Sequence, residues 1–283
     1  MHRIRFAFPA AALAALLFAL PAAAQKGKDY EPHVGQAGKD VIWVPTPDEV
    51  VERMLRMAQV TANDYVVDLG AGDGKIAIMA AKKFGARAMG IEYNPDMARH
   101  AQRNAEKAGV TGRARIVQGD IFVSDFTQAT VVTMYLLPAL NLKLRPQLLA
   151  MRPGTRVVSH SFNMDDWEPD ETSSMDGRRA YFWLVPANVA GTWTLTTTGG
   201  GAADKSELTL EQRYQKLEGT VSLGATVLGG LREPRLRGFD IAFAYVDASS
   251  VRREFSGRVS GARMEGSFRT DSGTEGRWVA TKK

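Results

Sequence analysis

Three acids occupy matching places in this 283-residue chain: Asp68 in "VVDLGAGDG", Glu92 in "GIEYNP" and Asp120 in "VQGDIF". Each lies at the end of a short β-forming run. The first run opens into glycines at 70, 72 and 74, where a backbone without Cβ takes positive φ and approaches a ligand closely. A helix N-terminus behind such a turn offers N–H groups to a carboxylate. An acid at the next strand end can accept from both hydroxyls of a ribose. The chemistry implied is the binding of a nucleoside-bearing ligand.

The spacing narrows the ligand. A dinucleotide fingerprint is G-x-G-x-x-G, whereas Gly70, Ala71, Gly72, Asp73 and Gly74 form G-x-G-x-G with Asp68 in front. Acids on and beside the loop would repel a pyrophosphate and suit a cation. S-adenosylmethionine has a sulfonium, an α-ammonium and a ribose for Glu92. Asp120 would accept from the adenine amino group, with Ile121 and Phe122 over the ring.

Positioning these residues requires strands and helices in alternation. Strand patterns occur in "YVVDL", "RAMGIEY", "ARIVQGD", "TVVTMYL" and "TRVVSHSF". Helical patterns occur in "PDEVVERMLRMA", "KIAIMAAKKFG", "DMARHAQRNAEKAG" and "LNLKLRPQLLAM". The alternation predicts a doubly wound, Rossmann-like α/β domain over 41–186. Thr46-Pro47-Asp48-Glu49 reads as a capping box, with Thr46 as N-cap and Glu49 reaching back; the alternative is a turn that closes over a ligand bound at the neighbouring strand end. Residues 25–40 read as a polar linker.

Beyond 187 the period changes to two. "GTWTLTT", "SELTLEQ", "LEGTVSL", "FDIAFAYV", "EFSGRVS", "RMEGSFR" and "GRWVATK" predict a small antiparallel β-barrel over 187–283. Phe239, Ile241, Phe243 and Tyr245 share one face, as do Leu217, Val221 and Leu223. Gly219, Gly257 and Gly266 suit bends or bulges, and Trp193 and Trp278 fall near the two ends. "LREPRLRG" and "VRREF" read as solvated loops and strand faces. The barrel is either a packed structural module or a cup for an unknown ligand or partner.

Composition removes several classes. There is no cysteine, which excludes disulfides, thiolate metal sites and a thiol nucleophile. The four histidines have no ligand spacing, so no metal is expected. Residues 1–24 combine a basic start, an Ala/Leu/Phe run and "PAAAQ", the pattern of a cleavable export signal; an uncleaved anchor is the alternative. Cleavage would remove Arg3 and Arg5 and no acid, lowering the net charge from +5 to +3. That is too weak for a nucleic-acid partner. The expected location is the periplasm or envelope.

With "DLGAGDG", "GIEYNP" and "GDIF", the chain resembles the class I S-adenosylmethionine-dependent methyltransferases over 41–186. "VPTPDEVVERML" leading into "VVDLGAGDGKIAI" and "IEYNP" is similar to the lysine methyltransferases of ATP synthase c-subunit and adenine nucleotide translocase. The resemblance implies a protein lysine acceptor, on a membrane or envelope protein. The Asn/Asp-Pro-Pro-aromatic clamp of base- and glutamine-methylating enzymes is replaced by Met134-Tyr135-Leu136-Leu137-Pro138. Tyr135 is the catalytic candidate, able to attract a cation by ~0.5–2 kcal/mol. His160, Asp165 and Trp167 follow the fifth strand as candidate walls of the substrate side. A small-molecule methyltransferase and a non-catalytic periplasmic binding protein are the competing readings.

Overall fold

Five buried apolar runs pair as a parallel sheet. β1 (Tyr65–Leu69), β2 (Arg87–Glu92), β3 (Ala114–Gln118), β4 (Val131–Met134) and β5 (Arg156–His160) lie in the order β3-β2-β1-β4-β5. The computed structural model describes His2 and residues 30–199, 204–247 and 249–283. The expected export signal, apart from His2, lies outside the described residues. So do residues 25–29 of the expected linker.

Helices α1 (Asp48–Met57), α2 (Lys75–Phe84), α3 (Pro95–Lys107) and α4 (Pro138–Leu149) alternate with the strands. The two sheet faces have separate cores, one around Val66, Ala77 and Ala101 and the other around Val67, Leu144 and Trp183. Strands covered on both faces read as continuous apolar runs. That is why "YVVDL" and "RVVSH" stand out in the sequence.

The sheet is mixed. β6 (Glu171–Met175) and β7 (Arg178–Leu184) form a hairpin, with β7 inserted antiparallel between β5 and β6. The turn is Asp176-Gly177, both at positive φ. Asp-Gly is the favoured pair for a two-residue hairpin.

The capping box is absent. α1 starts at Asp48, Pro47 occupies the cap position, and no side chain caps the helix. The Thr46 hydroxyl lies 3.1 Å from His160 Nδ1 instead, and Glu49 faces Arg178. A buried imidazole needs a partner more than an exposed helix end does.

Nine strands follow in a second sheet. They are β8 (Gly191–Thr198), β9 (Asp204–Arg213), β10 (Lys216–Leu223), β11 (Thr226–Gly230), β12 (Arg232–Arg237), β13 (Asp240–Val246), β14 (Arg252–Ser260), β15 (Arg263–Thr270) and β16 (Glu275–Lys282). All pairs are antiparallel, in the order β11-β10-β9-β8-β16-β15-β14-β13-β12. The sheet curls into a nearly closed barrel, with Leu231 N–H donating to Gly219 O at 2.9 Å.

Side chains fill the barrel. Phe243 and Phe255 stack at 4.8 Å, and Trp278 meets both edge-on. Trp193 and Trp278 are buried in this core, with their indole N–H groups donating to Val189 O and Ser256 O.

Three details refine the sequence pattern. Leu223 is exposed, beyond a bulge at Val221/Ser222. "REPRLR" is the edge strand β12, where Pro234 is tolerated beside a register shift. Gly219, Gly257 and Gly266 serve close strand approach: an added Cβ would lie 2.1, 2.2 and 1.9 Å from carbonyl oxygens of Thr209, Glu265 and Ser256.

The two sheets belong to one compact unit spanning Glu31–Lys283. Ala187 N–H donates to Gly238 O at 2.7 Å. Gly154 and Gly238 leave room for Phe239 and Leu184 at the junction. The period change at 187 marks a change of sheet within that unit.

Gly266→Ala is expected to force β14 and β15 apart and destabilise the protein by ~1–3 kcal/mol. Urea denaturation followed by tryptophan fluorescence measures it. Gly112→Ala, in open space with φ outside the left-handed region, should leave the midpoint nearly unchanged.

Candidate functional site

Pairing sets the strand ends in a row: Asp120 after β3, Glu92 ending β2, the glycine turn after β1, Tyr135 after β4 and His160 ending β5. Neighbouring strands are ~4.8 Å apart, so the row spans roughly 19 Å. A cavity of about 300 Å³ lies over these ends, lined by Asp68, Gly70–Asp73, Glu92, Asp120–Phe122, Tyr135 and Phe162 among others.

Gly70, Gly72 and Gly74 all have positive φ (78°, 55° and 83°). A Cβ on Gly72 would meet the Trp43 indole at 2.5 Å, and one on Gly70 would meet Leu136 at 2.9 Å. The turn therefore needs glycine for conformation and for space. Several N–H groups expected to face a ligand are already bonded. Gly70 and Ala71 donate to Ile91 O, Gly72 to Glu92, Gly74 to Ala71 O and Lys75 to Asp73.

The acids differ in state because their surroundings differ. Asp68 is 2% exposed. Burial pushes its pKa up to about 7, with Asp73 and Glu92 adding like charge and a 2.8 Å bond from the Thr133 hydroxyl opposing the rise. Burial also raises the pKa of Glu92, against backbone N–H bonds from Asn94 and Gly72 at 2.9 Å each. A positive ligand relieves both buried carboxylates.

Asp120 is held below the usual carboxylate range, mainly by Lys39, whose Nζ lies 2.7 Å from Oδ2. Phe122 N–H bonds the other oxygen.

Lys39 changes the reading of the polar arm. Residues 36–46 line the cavity, so its 36–40 part is site wall and not linker. A small loop is closed by Gly35 N–H to Trp43 O and Trp43 N–H to Gln36 O, both at 2.9 Å. It lays Trp43 against Gly72 and Lys39 over the Tyr93 ring at 4.5 Å.

On the other side, Tyr135 packs on His160 with ring centroids 4.0 Å apart and stacks on Phe162 at 6.2 Å. His160 stands behind Tyr135, bonded to Thr46 and 3% exposed. Burial, then the nearby Arg178 charge, lowers its pKa to about 4, so it is neutral near pH 7.

None of the three candidate walls lines the cavity: His160 lies behind Tyr135, and the other two are placed elsewhere. Asp165 is exposed on its loop and does not line the cavity. Trp167 is fully buried against Trp183 and Tyr214, because its large ring fills the core between the two sheets. Sequence reasoning missed Lys39, Trp43 and Phe162, whereas Thr46 lines the cavity as the alternative to a helix cap expected. The "VPTP" run is the available signal for Thr46 alone.

Comparisons with known proteins agree with this geometry. A family model described as the ANTKMT methyltransferase domain matches residues 68–171. A protein-lysine N-methyltransferase of Saccharolobus islandicus (strain REY15A) is 49% identical over 149 residues, covering 52% of this chain and 88% of that protein. The chain belongs to this methyltransferase family.

The lysine N-methyltransferase of the ATP synthase c-subunit from Mus musculus is 34% identical over 132 residues; the match covers 46% of this chain and 53% of the mouse protein. The chain thus spans about half the length of that relative. A crystal structure described as an RNA methyltransferase from Salinibacter ruber, in complex with S-adenosyl-L-homocysteine, shares 50% identity. It aligns at TM-score 0.51 over 52% of this chain and 96% of that one. S-adenosylmethionine is the methyltransferase's cofactor. The bare glycine turn beside buried, charge-suppressed acids fits such a cation.

The pKa of Asp68 sets a pH dependence. A carboxyl raised from 3.8 to about 7 costs folded-state stability progressively as pH rises through that window, and a cation recovers the loss by binding the ionised form. Cofactor affinity should therefore tighten about fivefold from pH 6 to 7, below the range where the cofactor's α-ammonium loses its own proton, measured by calorimetry. Asp68→Asn should flatten the profile, and a flat wild-type profile would exclude Asp68 from cation binding.

Proposed function

We propose that this methyltransferase modifies a lysine amine of a protein and acts in the periplasm or envelope. The observation that carries the lysine reading is the lining of the cavity over β4 and β5. Val44, Pro45, Thr46, Tyr135, Leu136, Leu137 and Phe162 present apolar, aromatic and hydroxyl groups there, with no charged side chain.

Glu92 takes the ribose hydroxyls, and Asp120 takes the adenine amino group beneath Ile121 and Phe122. Asp68 and the turn from Gly70 to Gly74 hold the amino-acid end. The strand order then leaves the β4–β5 side to the acceptor. When bound, the cofactor supplies a methyl group already activated by its sulfonium. The chain contributes alignment and a dry wall.

A lysine ammonium with an ordinary pKa near 10.4 loses its proton more easily on entering such a wall. Tyr135, backed by neutral His160, faces that amine without competing positive charge.

The solved relative described as an RNA methyltransferase makes RNA the second reading. Residues 41–186 carry seventeen Lys+Arg and seventeen Asp+Glu. This balance offers no basic excess for a phosphate backbone. The export reading rests on residues 1–24. Among the described residues no helix is long and apolar enough to cross a membrane.

Labelled donor offered to envelope proteins, total RNA and a metabolite extract separates the acceptors. Methyl-lysine should appear by mass spectrometry, with the rate rising from pH 7 to 9 as the neutral amine fraction grows. Label confined to RNA or to a small metabolite would replace the lysine reading. No transfer, with cofactor bound, would favour a non-catalytic binding protein. Recovery of a C-terminally tagged chain in the cytoplasm alone would overturn export.

A further inference from the structure

The loop after β5 forms part of the cavity and is held from two sides. It opens with Ser161 at φ +63°, and Phe162 reaches the cavity and stacks on Tyr135. From within the first domain, Asn141 Nδ2 on α4 donates to Phe162 O and Asn163 O at 3.2 Å each, and Arg145 donates to Met164 O at 2.9 Å.

From the barrel, the turn between β9 and β10 meets the same loop. Arg213 donates to Asp166 at 2.7 Å, and the Tyr214 hydroxyl donates to it at 3.1 Å. The Tyr214 ring stacks on Trp167 at 6.1 Å. Gln215 and Lys216 bond Glu168 through its carbonyl and carboxylate, at 2.7 and 2.6 Å.

The turn has an unusual residue for its shape. Arg213 pairs with Lys216, so Tyr214 and Gln215 form a two-residue hairpin loop, with Tyr214 at φ +56°. Positive φ at the first of two such positions favours glycine, and a bulky side chain there is strained. Strain of this kind persists where surrounding contacts over-determine it. Here those contacts are the ring on Trp167 and the hydroxyl on Asp166.

We propose that the barrel is a brace for the acceptor site: its Tyr214 turn clamps the 161–168 loop and so positions Phe162 against Tyr135. Tyr214 and Asp166 are positioning residues, acting through Phe162. The inference rests on the acceptor entering over β4 and β5. It gives the appended barrel a role in acceptor binding that does not require a ligand inside its filled core.

Tyr214→Gly in the full chain tests it, because glycine removes the clamp and relieves the backbone strain together. Three readouts are compared with wild type: cofactor Kd by calorimetry, amide exchange in 161–168, and kcat and KM for methylation of poly-L-lysine with labelled donor. The expected result is cofactor Kd within twofold, loop exchange at least tenfold faster, and kcat/KM at least fivefold lower, mainly through KM. Tyr214→Phe, which keeps the ring, should recover most of both losses.

Unchanged loop exchange would overturn the brace, as would faster exchange with unchanged kcat/KM. If Tyr214→Gly fails to fold, Asp166→Asn is measured in its place against the same limits. If wild type binds cofactor yet never methylates poly-L-lysine or envelope lysines, the lysine reading falls, and the brace is then scored on the kcat/KM of the acceptor that does take label.

Discussion

Parallel hydrogen bonding between β3, β2, β1, β4 and β5 is the constraint on which the site depends. Because these strands run the same way, their C-terminal ends open on one edge, where ligands of open α/β sheets bind. Pairing then sets the order of functional groups along that edge, from Asp120 through Glu92 and the glycine turn to Tyr135 and His160. An elongated ligand laid along the acids meets the aromatic side last. Sheet order thus separates an acidic end of the edge from an aromatic one.

The electrostatics follow from depth below that edge. Asp68 is the deepest acid and approaches neutrality near pH 7, while Asp120 at the rim stays ionised beside Lys39. Carboxylates on different strands thus present different charge to one ligand. The arm carrying Lys39 and Trp43 closes the cavity from above, and its indole occupies space that only a glycine at 72 leaves free.

The barrel is held together differently. Its interior is a packed apolar core rich in aromatic rings, and its glycines allow carbonyls of neighbouring strands to approach to where a Cβ would stand. Its contact with the first sheet combines apolar packing around Gly154, Leu184 and Phe239 with the polar grip of residues 213–216 on Asp166 and Glu168. Arg213 foremost, with Arg145 and Tyr214 assisting, holds the Asp166 carboxyl down at about 2. The grip therefore stays charged across the ordinary pH range.

Local sequence determined most of the elements and the glycine-and-acid end of the cavity. Buried parallel strands read as apolar runs, period two marked seven of the nine barrel strands but neither β11 nor β12, and the glycines and three acids fell at strand ends that the alternation alone could locate. The β6–β7 hairpin was not read: "ETSSM" is a half-exposed edge strand without a clear apolar face, and Asp176-Gly177 is its one local signal. Long-range partners were not legible. Thr46 looks like a helix cap until β5 brings His160 to it across 114 residues, Lys39 looks like linker until it meets Asp120 across 81, and Trp167 looks like a site wall until Tyr214 covers it from the barrel. Sequence spacing carries local geometry and burial period. Which distant side chain supplies the partner of a buried polar group or the cover of a ring is decided only when the sheets pack.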